Sequence, residues 1–293
     1  MAKFVTGRAV PLAVGLGVPL VGVLLVGSLG KMGWTFGKAG HDPWSEASVP
    51  APVDHAVVLV ELFTSEGCSS CPPADEVLGR LVRQQPMPGI QVLGLGEHVD
   101  YWDCLGWRDP FSSPTFTNRQ SAYRAQGFHN GSIYTPQLVV DGQFEEIGSD
   151  ATAVRRAIAK AAHVPKAAVS VAASPADADH VRVQVQVEVP PEVTVRGKAD
   201  VVIAITQDHL ATDVQHGENR GRKLTHSAVV RSLTAVGSLT PPSRTVATTA
   251  TAPVAAEWKT SDLRIIGFLQ ERESRRIIGA GAANVEHAHG GTE

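Results

Sequence analysis

Cysteine is scarce in this sequence, since only 3 of its 293 residues are cysteine. That number is too small for a scaffold stapled by several disulfides. A large excess of one charge is also lacking, and the net charge of −3 with a pI near 6.4 argues against nucleic acid as the main partner. With 43% hydrophobic and 19% charged residues, the composition is that of a globular protein long enough for two domains.

Charge is absent altogether from residues 9–30, an almost wholly apolar run that follows Lys3 and Arg8. A helix of this length could span a bilayer, and the run is longer than the ~7–15 residue apolar core of a cleaved signal. We therefore predict a hydrophobic N-terminal helix within 1–30 that anchors the protein in the membrane, with its bulk on the extracytoplasmic, periplasmic side. Residues 31–55 would be a tether. A cleaved signal and a secreted protein are the alternative, and either way the cysteines meet an oxidising compartment.

The stretch from Val57 to Asp75 has the most distinctive chemistry. Its first seven residues are mostly apolar and rich in branched side chains, which is typical of a buried strand, and Cys68 and Cys71 follow in the next turn. The two prolines after Cys71 lack amide hydrogens and fit the first turn of a helix. The open end of that helix lowers the pKa of a nearby thiol, so we predict that Cys68 is the exposed nucleophile and Cys71 the buried partner.

This C-x-x-C, placed between a strand and a helix and followed downstream by Tyr134-Thr135-Pro136, resembles the thioredoxin superfamily. Members of that superfamily carry a cis-proline packed against the C-x-x-C. The resemblance implies that Thr135–Pro136 is a cis peptide beside Cys68 and that Pro136 shapes the groove for a partner. It also implies that Cys68 and Cys71 are catalytic and that Tyr134 and Thr135 contact the substrate.

Four longer segments are similar to the bacterial family called domain of unknown function 1223. They are L-F-T-S-E-G-C-S-S-C-P-P-A-D, H-V-D-Y-W-D-x-L-G-W-R-D-P-F, Y-T-P-Q-L-V-V-D-G and G-E-N-R-G-R-K-L-T-H. This resemblance covers roughly Val57 to Gln270, and it brings no substrate with it.

The periodicity of the chain predicts two domains. Residues 56–164 favour the element order β-α-β-α-β-β-α with a mixed sheet, which is also the order of a thioredoxin-like domain. Residues 165–280 alternate apolar and polar side chains, most clearly in Val181–Val189, and predict an all-β antiparallel sandwich domain. We expect residues 281–293 to be a disordered tail.

Two segments outside these elements attract attention. Residues 97–111, the aromatic insert, contain His98, Trp102 and Trp107, and we interpret it either as a wall of the thiol site or as a cap on the core. Residues 218–226, the basic loop, could be a solvated hairpin or could lie against the same site. The insert also contains Tyr101 and Cys104. We predict that the insert meets the loop near Cys68, with a cation of the loop over an indole of the insert, and that this contact narrows access to the Cys68 thiol.

Three functional hypotheses fit these residues. The leading one is a thiol–disulfide oxidoreductase that acts on a protein or small-molecule thiol or disulfide, with His98, Trp102 and Trp107 as further substrate-binding residues and with no cofactor or metal. A second is Cu(I) or zinc binding by the cysteine pair and a histidine such as His98, His129 or His226. The third is a non-catalytic interaction module, and a plain structural disulfide is also open.

Overall fold

The structure is a computed structural model, and it describes residues 55–128 and 132–285. The predicted N-terminal helix, nearly all of the tether and most of the tail lie outside the described residues. Within the described ranges, no helix combines the length and apolar character needed to cross a membrane.

Strands and helices alternate in the first half of the described chain. The elements are β1 (Ala56–Thr64), α1 (Pro72–Gln84), β2 (Ile90–His98), α2 (Pro114–Ala122), β3 (Gln137–Val140), β4 (Phe144–Ile147) and α3 (Ala151–Ala162). A short 3-10 turn, Asp103–Leu105, lies in the aromatic insert, and a π-helical turn, Tyr123–Phe128, extends α2. The order of the seven main elements is the one that the periodicity predicts.

Local chemistry explains where these helices begin. Pro72 opens α1 at a position whose amide would have no partner within the helix. The side chain of Asp150 caps α3 by accepting a hydrogen bond of 2.9 Å from the amide of Ala153. The apolar faces of α1 and α3 pack on β1 and close one core of the protein.

The second half of the chain is built from strands. They are β5 (Ala168–Pro175), β6 (His180–Glu188), β7 (Ala199–Gln207), β8 (Leu210–Asp213), β9 (Lys223–His226), β10 (Val229–Leu239), β11 (Thr245–Pro253), β12 (Leu263–Glu271) and β13 (Ile277–Asn284). The alternation predicted for β6 is confirmed, because its valines are buried and the residues between them are exposed.

One eight-stranded sheet runs through both halves, in the order β13-β12-β7-β10-β2-β1-β3-β4. The sequence predicted a separate sandwich after residue 164, and the structure differs: four strands of the second half extend the sheet of the first. β10 joins β2 in parallel at Val229 and Gly96, and the Gly96 amide donates to the carbonyl of Ala228 at 2.7 Å. β2 is buried along most of its length, so leaving its edge open would expose unpaired backbone groups.

A smaller sheet in the order β11-β6-β5 packs over the extended part of the large one. The two layers enclose a second core, to which β6 contributes Val181, Val183, Val185 and Val187. The chain is therefore a mixed α/β protein with a large, mostly β architecture, in which the layers of the predicted sandwich share a sheet with the first half. β8 and β9 form a two-stranded ribbon apart from both sheets, and β9 packs near α1.

Candidate thiol site

The two cysteines of the motif lie at the start of α1. Cys71 is the residue that precedes the first helical position, and its amide donates to the carbonyl of Cys68 at 3.2 Å. Both residues are free thiols in this structure. The strand β1 ends at Thr64, so the turn that follows places the motif just beyond the C-terminal end of this strand of the large sheet.

Both thiol residues are covered by the surrounding chain. Cys68 is 1% exposed and Cys71 is 0% exposed. The prediction that Cys68 is the exposed member of the pair is therefore wrong. Burial of the first cysteine follows from long-range packing on the turn, which a helix-end argument does not contain.

The pKa values of the two thiols are driven apart. A hydrogen bond with Cys71 is the main factor that lowers the pKa of Cys68 to about 6, and Ser70 and Thr135 assist against the opposing effect of burial. The Ser70 hydroxyl lies 3.3 Å from the Cys68 sulfur. Burial, together with the same hydrogen bond to Cys68, raises the pKa of the Cys71 thiol. At neutral pH, Cys68 is therefore the thiolate and Cys71 the proton donor.

The loop before β3 completes the wall beside Cys68. Thr135–Pro136 is a cis peptide, as predicted, and the carbonyl oxygen of Thr135 lies 4.0 Å from the Cys68 sulfur. The hydroxyl of Thr135 accepts a hydrogen bond of 2.9 Å from the indole of Trp102. The carbonyl of Tyr134 accepts a bond from Gln120 on α2, which ties the loop to the protein interior.

The aromatic insert lies against the turn that carries the motif. The side chain of Trp102 packs so closely that a methyl group added at Gly67 would come within 3.1 Å of its Cβ. The indole of Trp107 donates to Glu66 at 2.8 Å. Both tryptophans thus contact the thiol turn, whereas the third cysteine, Cys104, is exposed.

The basic loop reaches the same turn from the other half of the chain. Asn219 donates to the carbonyl oxygens of Glu66 and Cys68 at 2.8 and 2.9 Å, and Glu218 accepts from the amide of Ser69 at 2.9 Å. The loop meets the thiol turn through these hydrogen bonds. It meets the insert, as predicted, through the His226 ring, whose centroid lies 4.9 Å from that of His98 and 5.7 Å from that of Phe111. Among the described residues, none of the loop's cations lies over an indole of the insert. Sequence reasoning missed Asn219 because it weighed the basic residues of that loop.

Removal of the Asn219 amide is expected to loosen the cover over Cys68. Asn219→Ala removes the donor to the Glu66 carbonyl and one of the two donors to the Cys68 carbonyl, which keeps the Cys71 amide. The loop should therefore open more often, and alkylation of Cys68 by iodoacetamide at pH 8 should accelerate about tenfold. The rate is measured by mass spectrometry in a Cys104→Ser background, which removes the exposed thiol. Arg222→Ala removes only the 2.8 Å bond that orients Asn219, and a smaller increase is expected.

The matched control for this experiment is Arg220→Ala. Arg220 lies on the same loop and is exposed, and its side chain forms no hydrogen bond or ion pair with the described residues. Its variant should react like the parent protein. Equal rates in all three variants would contradict a role for the loop in covering Cys68.

A buried polar cluster lies behind the motif. His226 Nε2 is 3.1 Å from Glu66, and His98 Nδ1 is 2.7 Å from Asp109. The two histidine rings meet edge to face with centroids 4.9 Å apart. Burial works to raise the pKa of Asp109, but His98 outweighs it and the pKa is lowered. Within the described contacts, His98 bonds to Asp109 and to neither thiol, so its predicted contact with substrate has no direct support in the geometry.

Asp75 on α1 also belongs to this cluster, 3.8 Å from His226. Burial raises its pKa to about 7, although His226 and Thr64 act in the opposite direction. The folded protein therefore binds a proton here that the unfolded chain has released above about pH 4. The associated stability is present below the unfolded pKa and is lost as pH rises through about 7.

Asp75→Asn is expected to remove this pH dependence. As the pH rises from 4 to 7, the parent loses stability that the variant keeps. The unfolding free energy of the variant minus that of the parent should therefore increase by up to about 1.4 kcal/mol per pH unit, roughly 2–4 kcal/mol in total. Urea denaturation across this range measures the difference. Cys68→Ser is used as the common background, because a thiol with a lowered pKa adds stability above its unfolded pKa and loses it as pH falls through about 6.

The exposed neighbour Glu76 supplies the control for this prediction. Glu76→Gln changes the same charge on the same helix outside the cluster, and its effect should vary little with pH. A stability difference for Asp75→Asn that stays constant from pH 4 to 8 would contradict burial as the cause of the raised pKa.

In the described ranges, no group of three or more cysteine, histidine or acidic side chains is arranged to hold a metal ion. His98 and His226 are engaged with carboxylates in the cluster, and His129 lies outside the described residues.

Comparison with known proteins identifies relatives of this chain. The structure of protein AGR_C_4864 from Agrobacterium tumefaciens is 29% identical, with a TM-score of 0.58 over 80% of this chain and 100% of that one. HBP35 of Porphyromonas gingivalis is 16% identical, with a TM-score of 0.61 over 83% of this chain and 79% of its own, a likeness that concerns the fold alone. No curated protein matches the chain. The family described as "Protein of unknown function (DUF1223)" matches residues 59–270, and this chain belongs to that family.

Proposed function

We propose that this protein is a thioredoxin-like thiol–disulfide oxidoreductase that acts through Cys68 and Cys71. The observation that carries the proposal is the unequal pair of thiols at the start of α1. A lowered pKa of about 6 at Cys68 gives a nucleophilic thiolate at neutral pH, and the protonated Cys71 next to it can resolve a mixed disulfide.

The connectivity of the first half supports the thioredoxin-like assignment. β1 pairs in parallel with β2 on one side and antiparallel with β3 on the other, and β3 pairs antiparallel with β4. The motif follows the central strand of this set. The cis peptide at Pro136 lies beside it, at the place where thioredoxin-like proteins carry theirs.

The reaction proceeds in two exchanges. The Cys68 thiolate attacks one sulfur of a substrate disulfide, a new S–S bond forms, and the other substrate sulfur leaves as a thiolate. Cys71 then loses its proton and attacks the Cys68 sulfur, which releases the second substrate thiol and leaves a Cys68–Cys71 disulfide. The substrate gains two electrons and the protein loses two, and the reverse sequence oxidises a dithiol.

The cover over Cys68 favours a specific partner over a general one. A substrate has to approach along Thr135, Pro136 and Trp102 and displace the contact made by Asn219. We expect a protein or small-molecule disulfide that fits this opening. The apolar run at 9–30 supports an extracytoplasmic location, where disulfide exchange partners occur.

A redox titration tests the proposal. The full chain is equilibrated in glutathione buffers of stepped potential, and the Cys68–Cys71 disulfide is quantified by alkylation and mass spectrometry. A single reversible two-electron transition is expected. Metal content is measured on the same sample, and stoichiometric copper or zinc that blocks both thiols would favour the metal-binding alternative. Thiols that stay reduced in strongly oxidising buffers would refute the proposal.

A further inference from the structure

A cavity of about 370 Å³ lies between the end of the aromatic insert and β10. It lies where β10 diverges from β2, since β10 pairs with β2 only at Val229 and continues in the large sheet along β7. Its walls are formed mainly by Phe111, Ser113, Phe116, Arg231, Leu233 and Trp258. The volume suits a small organic molecule.

Arg231 enters this cavity from a β-bulge. Val230 pairs with Thr206 and Ser232 pairs with Ile205, so Arg231 is the extra residue of β10 with no partner in the ladder. A bulge of this kind redirects one side chain away from the regular face of a sheet, and bulges are common beside binding sites.

The guanidinium of Arg231 contacts two aromatic rings. Its central carbon lies 5.3 Å from the centroid of Phe111 and 4.9 Å from that of Trp258. A cation at this distance is attracted to the face of a ring, and the guanidinium keeps its N–H donors for other partners. The two rings therefore stabilise the charge of Arg231 where it lines the cavity.

The N–H donors of Arg231 have no acceptor among the residues that the structure describes. No carboxylate there forms an ion pair with Arg231 and no oxygen accepts a hydrogen bond from it; Glu257 acts only at longer range. By contrast, Arg119, Arg272 and Arg276 each form an ion pair with a carboxylate. A half-buried guanidinium without a counter-ion among these residues is suited to a planar carboxylate, which it can bind through two parallel hydrogen bonds.

We propose that this cavity binds a small carboxylic acid, with Arg231 on its carboxylate and the rings and Leu233 around an apolar remainder. The hydroxyls of Ser113 and Ser232 on the wall offer further donors to the same oxygens. The site is separate from the thiols, although Phe111 connects the two because its ring also contacts His98 and His226, at 5.4 and 5.7 Å.

Calorimetric titration of the full chain with phenylacetate, against phenylacetamide as the neutral isostere, tests the proposal. Saturable binding of phenylacetate is expected, with affinity at least about tenfold above that of the amide, because only the carboxylate can form the paired bonds. Arg231→Met should abolish the difference between the two probes, and Arg231→Lys, which keeps the charge without the planar fork, should reduce it.

Arg264→Met is the matched control, since Arg264 is another half-buried arginine without an ion pair among the described residues and lines a different cavity. It should bind phenylacetate like the parent. Any of three results would overturn the proposal. These are equal binding of the acid and the amide, unchanged binding in the folded Arg231→Lys and Arg231→Met variants, and binding of inorganic phosphate as tight as that of phenylacetate. Because binding is measured and not thiol chemistry, the result is independent of the redox proposal.

Discussion

Cys68→Ser is expected to abolish thiol–disulfide exchange, with a loss of at least about a thousandfold in the rate of reduction of a small aromatic disulfide. The reason is the state of the sulfur: a thiol with a pKa of about 6 is mostly ionised at pH 7, whereas a serine hydroxyl at the same place stays protonated and is a poor nucleophile. The reaction is followed by the absorbance of the released aromatic thiolate. The Cys104→Ser background excludes a contribution from the exposed third cysteine.

Cys71→Ser gives the complementary result. The first exchange still occurs at Cys68, but no second thiol is present to resolve it, so a stable mixed disulfide should accumulate and appear as an increase in protein mass. The assignment of the two thiols would be reversed if the Cys68→Ser protein accumulated the adduct, on Cys71, and the Cys71→Ser protein did not. Exchange that survives in both variants would place the chemistry elsewhere.

The second large effect concerns a buried ionic network under the sheet, formed by Glu61, Arg119, Tyr123 and Gln270. Arg119 lies 2.5 Å from Glu61 and donates to Gln270 at 3.0 Å, and the Tyr123 hydroxyl donates to Glu61. Gln270 belongs to β12, so the network joins the two halves of the chain across the large sheet. Glu97 also lies 3.3 Å from Arg119, and burial raises the pKa of Glu97 well above its usual value.

Arg119→Met is expected to destabilise the protein by about 3–5 kcal/mol, because it leaves the carboxylate of Glu61 buried without its cation. Urea denaturation at pH 7 measures the change in unfolding free energy. The double variant Glu61→Leu/Arg119→Met removes both charges and should recover most of the loss, since an apolar pair needs no desolvation of ions. A loss in the double variant equal to that of Arg119→Met would mean that the arginine matters through packing and not through charge.

Local sequence was sufficient for the elements of the first half. An Asp–Gly pair is a strong signal for a hairpin turn, and Asp141–Gly142 lies between β3 and β4, which pair with each other. Both residues have the positive φ that such a turn requires. Pro72 and Asp150 likewise mark the starts of α1 and α3. These features depend on interactions within a few residues, so the pattern of side chains contains the information needed to predict them.

The candidate site was only partly visible in the sequence. The position of Cys68 and Cys71 at a helix start followed from the motif and the prolines after it. The cis peptide at Pro136 was implied by the resemblance to thioredoxin-like proteins. The burial of Cys68 and the role of Asn219 did not, because the contact between them joins residues 151 positions apart. An asparagine in a polar loop has no local signal that distinguishes a cover over a thiol from a solvated turn.

The amino-acid order thus determined the strands, the helices, their caps and the cysteine motif, each of which depends on short-range sterics and hydrogen bonding. Tertiary structure alone decided that β10 would complete the edge of β2, that the basic loop would cover Cys68, and that Arg231 would contact two aromatic rings. In each case the deciding energy is the pairing or desolvation of groups far apart in the chain. Such energies depend on which surfaces meet, and periodicity within one segment does not contain that information.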